Sequence, residues 1–449
     1  FFEDAINISN SGLMYGLLMG DVPIIPTMYQ GDIASDDLFV TFDGGIPEVA
    51  LGRYPAKSVF DVRSFVEKVV QYETEPNLGP WRRNITLVAD DESRPYSNDT
   101  THTSNSENLY QIIPPQFNVE KLYLMEFPES NDASSYGVSK PEASNEFFEK
   151  LNNGTAIVNY IGHGSSDKWA QELLLDKTRG DISRIQTGGK LPLWIAGTCS
   201  WGEFDNLDND AFSEDIIRLD GNGAIAIITT SRGVYEGANW ILIKNIYEAL
   251  FPEGDIADIP IGIILQSIKT GSVTGKIFHL FGDPAMKIQI PSNILDLTIS
   301  EPLEILSPGS LITENNFSNS GGSGYLVVRE SDRIVDREYT YISHSGLINS
   351  TISYLIPGNI LSIGQISFLN NQIIGDFWIP LDISGNQVDI SLYINTEEPN
   401  IIEAIGYKNN LDISLLSSNN DDTGPEISVY TSNGRTVSFG DHLNPNSII

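Results

Sequence analysis

Thr155-Ala156-Ile157-Val158-Asn159-Tyr160-Ile161-Gly162-His163-Gly164-Ser165 is the stretch whose reading decides the fold. Thr155 to Tyr160 is apolar almost throughout, as a central parallel strand covered on both faces must be. The strand then runs into two glycines that bracket a histidine. The same design returns at Leu191 to Gly197, which runs into Thr198-Cys199-Ser200, and a third buried-type strand spans Gly223 to Thr229. Helical patterns at Ala211 to Leu219, Asn239 to Leu250 and Ile261 to Lys269 lie between and after these strands. Strands alternating with helices predict an α/β sheet with helices on both sides.

Towards the amino end the same alternation continues. Leu13 to Met19, Asp37 to Phe42, Pro47 to Leu51, Asn84 to Ala89 and Lys121 to Leu124 read as strands, and Ser144 to Leu151 as a short helix. Ser58 to Tyr72 reads as an amphipathic helix with Val59, Val62, Val66, Val69 and Val70 on one face and a capping box at Ser58 and Asp61. Past Pro291 the helical signal ends. Tyr325 to Val328, Thr351 to Leu355, Gln365 to Leu369 and Val388 to Ile394 are short strand patterns separated by turn residues, with a Ser, Asn and Gly-rich loop at Ser318 to Gly324. Their spacing predicts a β-sandwich of immunoglobulin-like type. The expected units are 1–292, α/β; 293–415, β-sandwich; and 416–449, a linker around Asn419 to Asp422 followed by the start of a further β unit near Glu426 to Tyr430. The chain opens on Phe1-Phe2 and stops in the polar run Asn446-Ser447-Ile448-Ile449. We expect it to be part of a longer protein, with amino-terminal strands of the sheet missing.

The 449 residues carry 26 basic and 60 acidic side chains, a net charge of −34. That balance repels nucleic acid and anionic membrane surfaces, so nucleic acid is excluded as a partner. No run of about 20 apolar residues occurs, so no spanning helix is expected, and no signal peptide opens the chain. A single cysteine excludes an internal disulfide and a multi-cysteine metal site. No pair of histidines has zinc spacing and no phosphate loop is present, so no metal site is assigned. The acidic clusters Asp36-Asp37, Asp90-Asp91-Glu92, Asp205 to Asp210 and Asp421-Asp422 lack EF-hand spacing. No cofactor is required by this pattern, and structural calcium stays unassigned.

A lone cysteine is ordinarily a buried apolar filler. Its position changes that reading. In open α/β sheets, sites form beyond the carboxyl ends of the strands, and both Cys199 and His163 sit there. If the two strands are neighbours, about 4.8 Å apart, thiol and imidazole emerge side by side. A free thiol with a pKa near 8.5 is mostly protonated at neutral pH, and a nearby imidazole supplies the missing base. Gly162 and Gly164 allow a tight bend, and the N–H groups of Gly164 and Cys199 are candidates for an oxyanion hole. His102, His279, His344 and His442 lack such a context.

Beyond this pair, several ordered motifs resemble the gingipain family of cysteine peptidases. Asn159-Tyr160-Ile161-Gly162-His163-Gly164 with Trp169-Ala170-Gln171-Glu172 is similar to the family's histidine segment. Thr198-Cys199-Ser200-Trp201-Gly202-Glu203-Phe204-Asp205-Asn206 is similar to its cysteine segment. Gly223 to Arg232 and Leu280-Phe281-Gly282-Asp283-Pro284-Ala285 resemble its following strand and closing motif, and Ser35-Asp36-Asp37, Glu48 to Arg53 and Val88 to Glu92 fit upstream. The Trp-Ala-x-Glu and Phe-Asp-Asn forms stand nearest to the family's PorU-like sortase branch, which serves type IX secretion. Tyr354-Leu355-Ile356-Pro357-Gly358, Phe377-Trp378-Ile379-Pro380 and Asp422 to Ile427 resemble that branch's β-domains.

The resemblance implies a caspase-like fold, with His163 as base and Cys199 as nucleophile. In some relatives a third, acidic residue orients the histidine. Asp90, Asp91, Glu92 and Asp99 lie in the right region, with Asp91 favoured. Trp169, Glu172 and Glu203 are candidates to shape a substrate pocket, with ordinary core or surface roles as the alternative. The implied partners are protein or peptide substrates, namely exported proteins with C-terminal secretion signals. Outer-membrane secretion components and a lipopolysaccharide acceptor join them in the sortase branch. The implied location is extracytoplasmic, at the outer-membrane surface or secreted. In the sortase branch an amine takes the acyl group; in the gingipain branch water does. A non-catalytic surface scaffold keeping the fold is the reading from another class.

Overall fold

The computed structural model describes residues 14–42, 45–91, 100–133, 137–314, 321–343, 346–369, 372–397 and 401–415, together with the short strands Val429–Tyr430 and Thr436–Val437. Glu92, Asp99, His344, His442, the linker at 419–422 and the motif at 422–427 fall outside these residues.

The first unit is built on an eight-stranded sheet. Its strands in chain order are β1 (Tyr15–Met19), β2 (Ala50–Tyr54), β3 (Asn84–Ala89), β4 (Asn118–Tyr123), β5 (Ile157–Ile161), β6 (Leu193–Gly197), β7 (Ala226–Thr230) and β8 (Phe278–Phe281). They lie in the order β1-β2-β8-β7-β6-β5-β3-β4. Strands β4, β3, β5, β6 and β7 are mutually parallel. Strand β8 is antiparallel to β7 and meets β2 at the single pair Phe281–Arg53. Each of β5, β6 and β7 is buried along its whole length, as apolar runs without alternation require.

Among the described residues, six helices of seven residues or more flank the sheet: α1 (Val59–Thr74), α2 (Thr101–Tyr110), α3 (Pro141–Asn153), α4 (Phe212–Arg218), α5 (Glu236–Leu250) and α6 (Ile261–Ile268), and one short turn of helix, Val273–Ile277, precedes β8. One apolar cluster unites Ile85, Leu87, Ile195 and Ile228 with Leu242, Ile243 and Ile246 of α5; another unites Val88, Val158 and Trp194 with Phe147 and Phe148 of α3. The sheet thus has helices on both faces.

Two local expectations are corrected. The capping box of α1 forms, with Ser58 Oγ accepting the Asp61 N–H and the Asp61 carboxylate accepting the Ser58 N–H. The buried face, however, carries Phe65, Lys68 and Tyr72, while Val59 is 77% and Val70 52% exposed. Lys68 can be buried because its ammonium donates to the carbonyls of Ile217, Asn222 and Ala224, near the carboxyl end of α4. The expected strand over Asp37 to Phe42 is instead a short 3₁₀ turn, Asp36–Phe39. Asp36 and Asp37 start it buried, tied to Arg53 and Lys269.

From residue 293 the described residues form strands and no helix. Strands β9 (Pro308–Glu314), β10 (Gly322–Glu330), β11 (Arg333–Ser343), β12 (Gly346–Ile356), β13 (Ile360–Phe368), β14 (Gln372–Trp378), β15 (Gln387–Thr396) and β16 (Glu403–Ser414) build this part. One sheet runs Asn293–Leu295, β16, β15, β10, β13, and the other runs Thr298–Ile299, β9, β14. Leu311, Ile373 and Phe377 of the second sheet pack with Leu326, Val328, Ile390 and Leu392 of the first, the layered core of a sandwich. Strands β11 and β12 form a separate hairpin. The sandwich is bonded to the first unit through Arg82, which pairs with Glu403 at 2.9 Å, and the Gly79 N–H, which donates to Tyr393 Oη at 2.9 Å; the hairpin is bonded to it through Lys121, which donates to the Leu355 carbonyl at 2.7 Å. Among the described residues no helix is long and apolar enough to cross a membrane.

Candidate active site

Strands β5 and β6 are in register from Ile157–Leu193 to Ile161–Gly197. His163 and Cys199 therefore each lie two residues beyond the same terminal pair, on adjacent parallel strands. The two strand ends also touch. A Cβ on Gly164 would lie 2.5 Å from Thr198 Oγ1, and one on Gly162 would lie 2.4 Å from Asp90 Cβ, so neither position admits a side chain. Both candidate side chains are half-buried.

The main chain of His163 is held from both sides. Its N–H donates to Asp90 Oδ2 at 2.8 Å. Its carbonyl accepts from Tyr160 Oη at 2.6 Å and from the Ala170 N–H at 2.9 Å. Tyr160 also stacks on Trp169, ring centroids 4.3 Å apart. The imidazole of His163 meets that of His102 edge-on at 5.5 Å. Burial and the neighbouring His163 lower the His102 pKa to about 4, so this second ring is neutral at neutral pH.

Cys199 opens a loop fastened to the end of β7. The Ser200 N–H donates to the Arg232 carbonyl at 3.1 Å and the Gly202 N–H to the Thr230 carbonyl at 2.9 Å. Arg232 grips Asp205 through two bonds of 2.7 and 2.6 Å. Ser200, the residue after the thiol, has a φ of +55°, a conformation side chains rarely adopt. Cys199 Sγ lies 3.7 Å from the Val234 carbonyl.

Of the other candidates, Asp91 and Trp169 fall differently from expectation. Asp91 does not face His163: its carboxylate pairs with Lys140 at 2.5 Å, because Lys140 is buried and needs a counter-charge. Among the described residues Asp90, one residue earlier, reaches the histidine segment, accepting the main-chain N–H of His163. Trp169 is fully buried among Tyr160, Trp194, Trp201 and Phe147, so it packs the core under the histidine hairpin and lines no pocket. Glu172 is buried beside Asp90 and Asp91; one oxygen of each comes within 4.8 Å of the others. Glu203 is half-buried near Arg232 and Asp205, and burial raises its pKa. In the acidic clusters among the described residues, Asp36 is paired with Arg53, Asp37 with Lys269, Asp205 with Arg232, and Asp210 with Lys57 and Arg218. His102 is the neighbour that sequence reading missed, and Asp90 was among the acidic candidates but ranked behind Asp91. Asp90 was one member of an acidic run, and α2 is polar on all sides, without an apolar period to announce it.

Burial, and then the nearby Asp91, raise the Glu172 pKa to about 7. Between about pH 4.5, its ordinary value, and pH 7 the folded chain holds a proton that the unfolded chain has released. Its stabilising contribution is therefore present in acid and lost as pH rises through that window. Glu172→Gln is expected to match the parent at pH 4.5 and to exceed it at pH 8 by on the order of 2–3 kcal/mol. Urea unfolding at the two pH values measures the difference.

The sheet order, the sandwich that follows and the two strand ends are compatible with the fold of a gingipain-type cysteine peptidase. A family model, Peptidase family C25, matches residues 1–289, and the chain belongs to that family. Gingipain R2 of Porphyromonas gingivalis is 24% identical over 238 residues, 51% of this chain and 30% of its own length. The matched stretch thus spans less than a third of that relative. The crystal structure of the Arg-specific cysteine proteinase gingipain R has a TM-score of 0.54 and 17% identity, covering 92% of this chain and 87% of the other. That is a likeness of fold. Latent dimeric PorU from Porphyromonas gingivalis is matched over 92% of this chain and 38% of its own, with 14% identity and a TM-score of 0.31, too low to bear on function.

Proposed function

We propose that this chain is the catalytic part of an extracytoplasmic cysteine peptidase that cleaves exported proteins through a thioester on Cys199. The observation that carries the reading is the β5–β6 register, with thiol and imidazole at equal distance past one terminal pair. Family membership supports it.

In this mechanism His163 takes the thiol proton and Sγ attacks the scissile carbonyl carbon. The developing oxyanion is held by the N–H groups of Gly164 and Cys199. Collapse breaks the C–N bond, and His163 returns the proton to the leaving amine. Water activated by the same imidazole then attacks the thioester and releases the acid and the thiol. Asp90 fixes the backbone of the base, and the neutral His102 ring walls its far edge; both are positioning residues. The strained turn at Ser200 holds the thiol at the strand end rather than in the core.

A second reading replaces water with an amine, making the enzyme a sortase. The sequence forms Trp169-Ala170-Gln171-Glu172 and Phe204-Asp205-Asn206 favour it. Its acceptor would be an amine on a surface glycolipid, and its substrates proteins with C-terminal secretion signals. Incubating the protein with such a tail peptide and glycylglycine, then reading product masses, separates the two. Free acid alone is the expected product of the peptidase, and an amide adduct at millimolar amine is that of the sortase. No cleavage under either condition, with the thiol intact, contradicts both.

A further inference from the structure

We propose that the cleft between the two units, at the end of the sheet opposite Cys199, is a binding site for an oxoanion. It has a volume of about 420 Å³ and is walled by Arg83 and the segment from Tyr110 to Val119 on one side and by Arg329, Asp389, Ser391 and Tyr407 on the other. Arg83 immediately precedes β3, and Asn118 begins β4, so the cleft lies at the amino ends of strands whose carboxyl ends point towards the site.

Arg83 is 5% exposed. Its Nη2 donates to Ser391 Oγ at 3.0 Å, while Nε and Nη1 have no acceptor among the described residues. The contrast with its neighbour is direct: Arg82 has Glu403 at 2.9 Å. No described carboxylate pairs with Arg83 or with Arg329. The two acids of the cleft are already engaged. Asp389 accepts from Ser331 Oγ at 2.6 Å, Tyr407 Oη at 2.6 Å and the Asn410 N–H at 2.9 Å, and Asp332 accepts from Tyr110. Burial, and then the like charge of Arg329, lower the Arg83 pKa to about 10, which leaves it a cation at neutral pH.

A buried guanidinium with no carboxylate in contact is unfavourable, and the two aspartates of the cleft are turned to hydroxyl and amide donors rather than to Arg83. An anion entering the cleft supplies what the protein omits. Guanidinium donors fit the oxygens of carboxylate, sulfate or phosphate. The volume exceeds an inorganic ion and is in the range of small-molecule pockets, so a small organic carboxylate and an inorganic oxoanion are the two sources to separate. Because both units line the cleft, the bound anion would brace the sandwich against the peptidase unit.

The test is thermal unfolding of the full chain at constant ionic strength, titrated with sulfate, phosphate or succinate against chloride. The expected result is a saturable rise in Tm with at least one oxoanion and none with chloride. Saturation by succinate alone assigns an organic carboxylate, and saturation by sulfate or phosphate an inorganic ion. Arg329→Gln, at a half-buried position, is expected to weaken the apparent Kd at least about tenfold, the scale of one lost charge-assisted hydrogen bond. Arg83→Lys is expected to do the same. A rise no larger than with chloride, or one unchanged in Arg329→Gln, overturns the proposal.

Discussion

Cys199→Ala is expected to reduce peptide cleavage to background, and His163→Ala to reduce kcat/KM about 100- to 10,000-fold, with both variants folded as the parent. The asymmetry follows from the roles. Without the thiol no thioester forms. Without the imidazole a small thiolate fraction still reacts, but the leaving amine departs unprotonated; general acid–base help is worth about that range. Folding is spared because both side chains are half-buried at strand ends rather than in the core. An Asp90→Asn variant belongs beside them. It keeps an oxygen for the His163 N–H, so its loss should be far smaller than that of His163→Ala. Initial rates on a fluorogenic peptide substrate, with circular dichroism as the folding control, check all three.

The second large effect is on stability. Asp36→Ala is expected to cost about 3–5 kcal/mol, because it strands a buried guanidinium. Arg53 is 1% exposed, and its Nε and Nη2 reach the two Asp36 oxygens at 2.6 and 2.8 Å. Its Nη1 donates to the carbonyls of Gly20 and Ile25 at 2.6 and 3.0 Å, and Thr27 Oγ1 donates to Asp36 at 2.8 Å. The pair thereby ties β2 to the segment between β1 and the 3₁₀ turn. The guanidinium carbon also lies 5.2 Å from the ring centre of Phe204, in the loop that Cys199 opens. Losing the pair should therefore loosen that loop as well. The double change Arg53→Met with Asp36→Leu should recover much of the loss, since no uncompensated charge remains. Urea midpoints at an unchanged slope measure both.

How far these features could be read from the chain depends on where their determinants lie. Strands β5, β6 and β7 were legible because complete burial leaves a run of apolar residues, and their glycine-marked ends were legible for the same local reason. The adjacency of His163 and Cys199 was conditional on strand order, which only the register supplies. Strand β8 was seen as a motif but not as a strand: four residues containing a histidine give too short a period, and its antiparallel direction is set by its neighbour β7. The face of α1 was misread because Val59, Val66 and Val70 suggest a core stripe. In the fold, the stem and ammonium of Lys68, satisfied by three carbonyls, occupy that role instead. His102 and Asp90 reach His163 from segments some 60 to 70 positions away, a distance at which no local pattern is informative. Trp169 looked like a pocket residue only through its motif; its burial comes from Trp194 and Trp201 on other segments.

The most direct measurement of the central claim is the second-order rate of Cys199 alkylation by iodoacetamide between pH 5 and 9, in the parent and in His163→Ala, followed by intact mass. The account predicts that the parent reacts faster at pH 6–7 than the same protein unfolded in urea, and that His163→Ala loses this excess. Alkylation no faster than in the unfolded chain, or unchanged by removal of the imidazole, would contradict it.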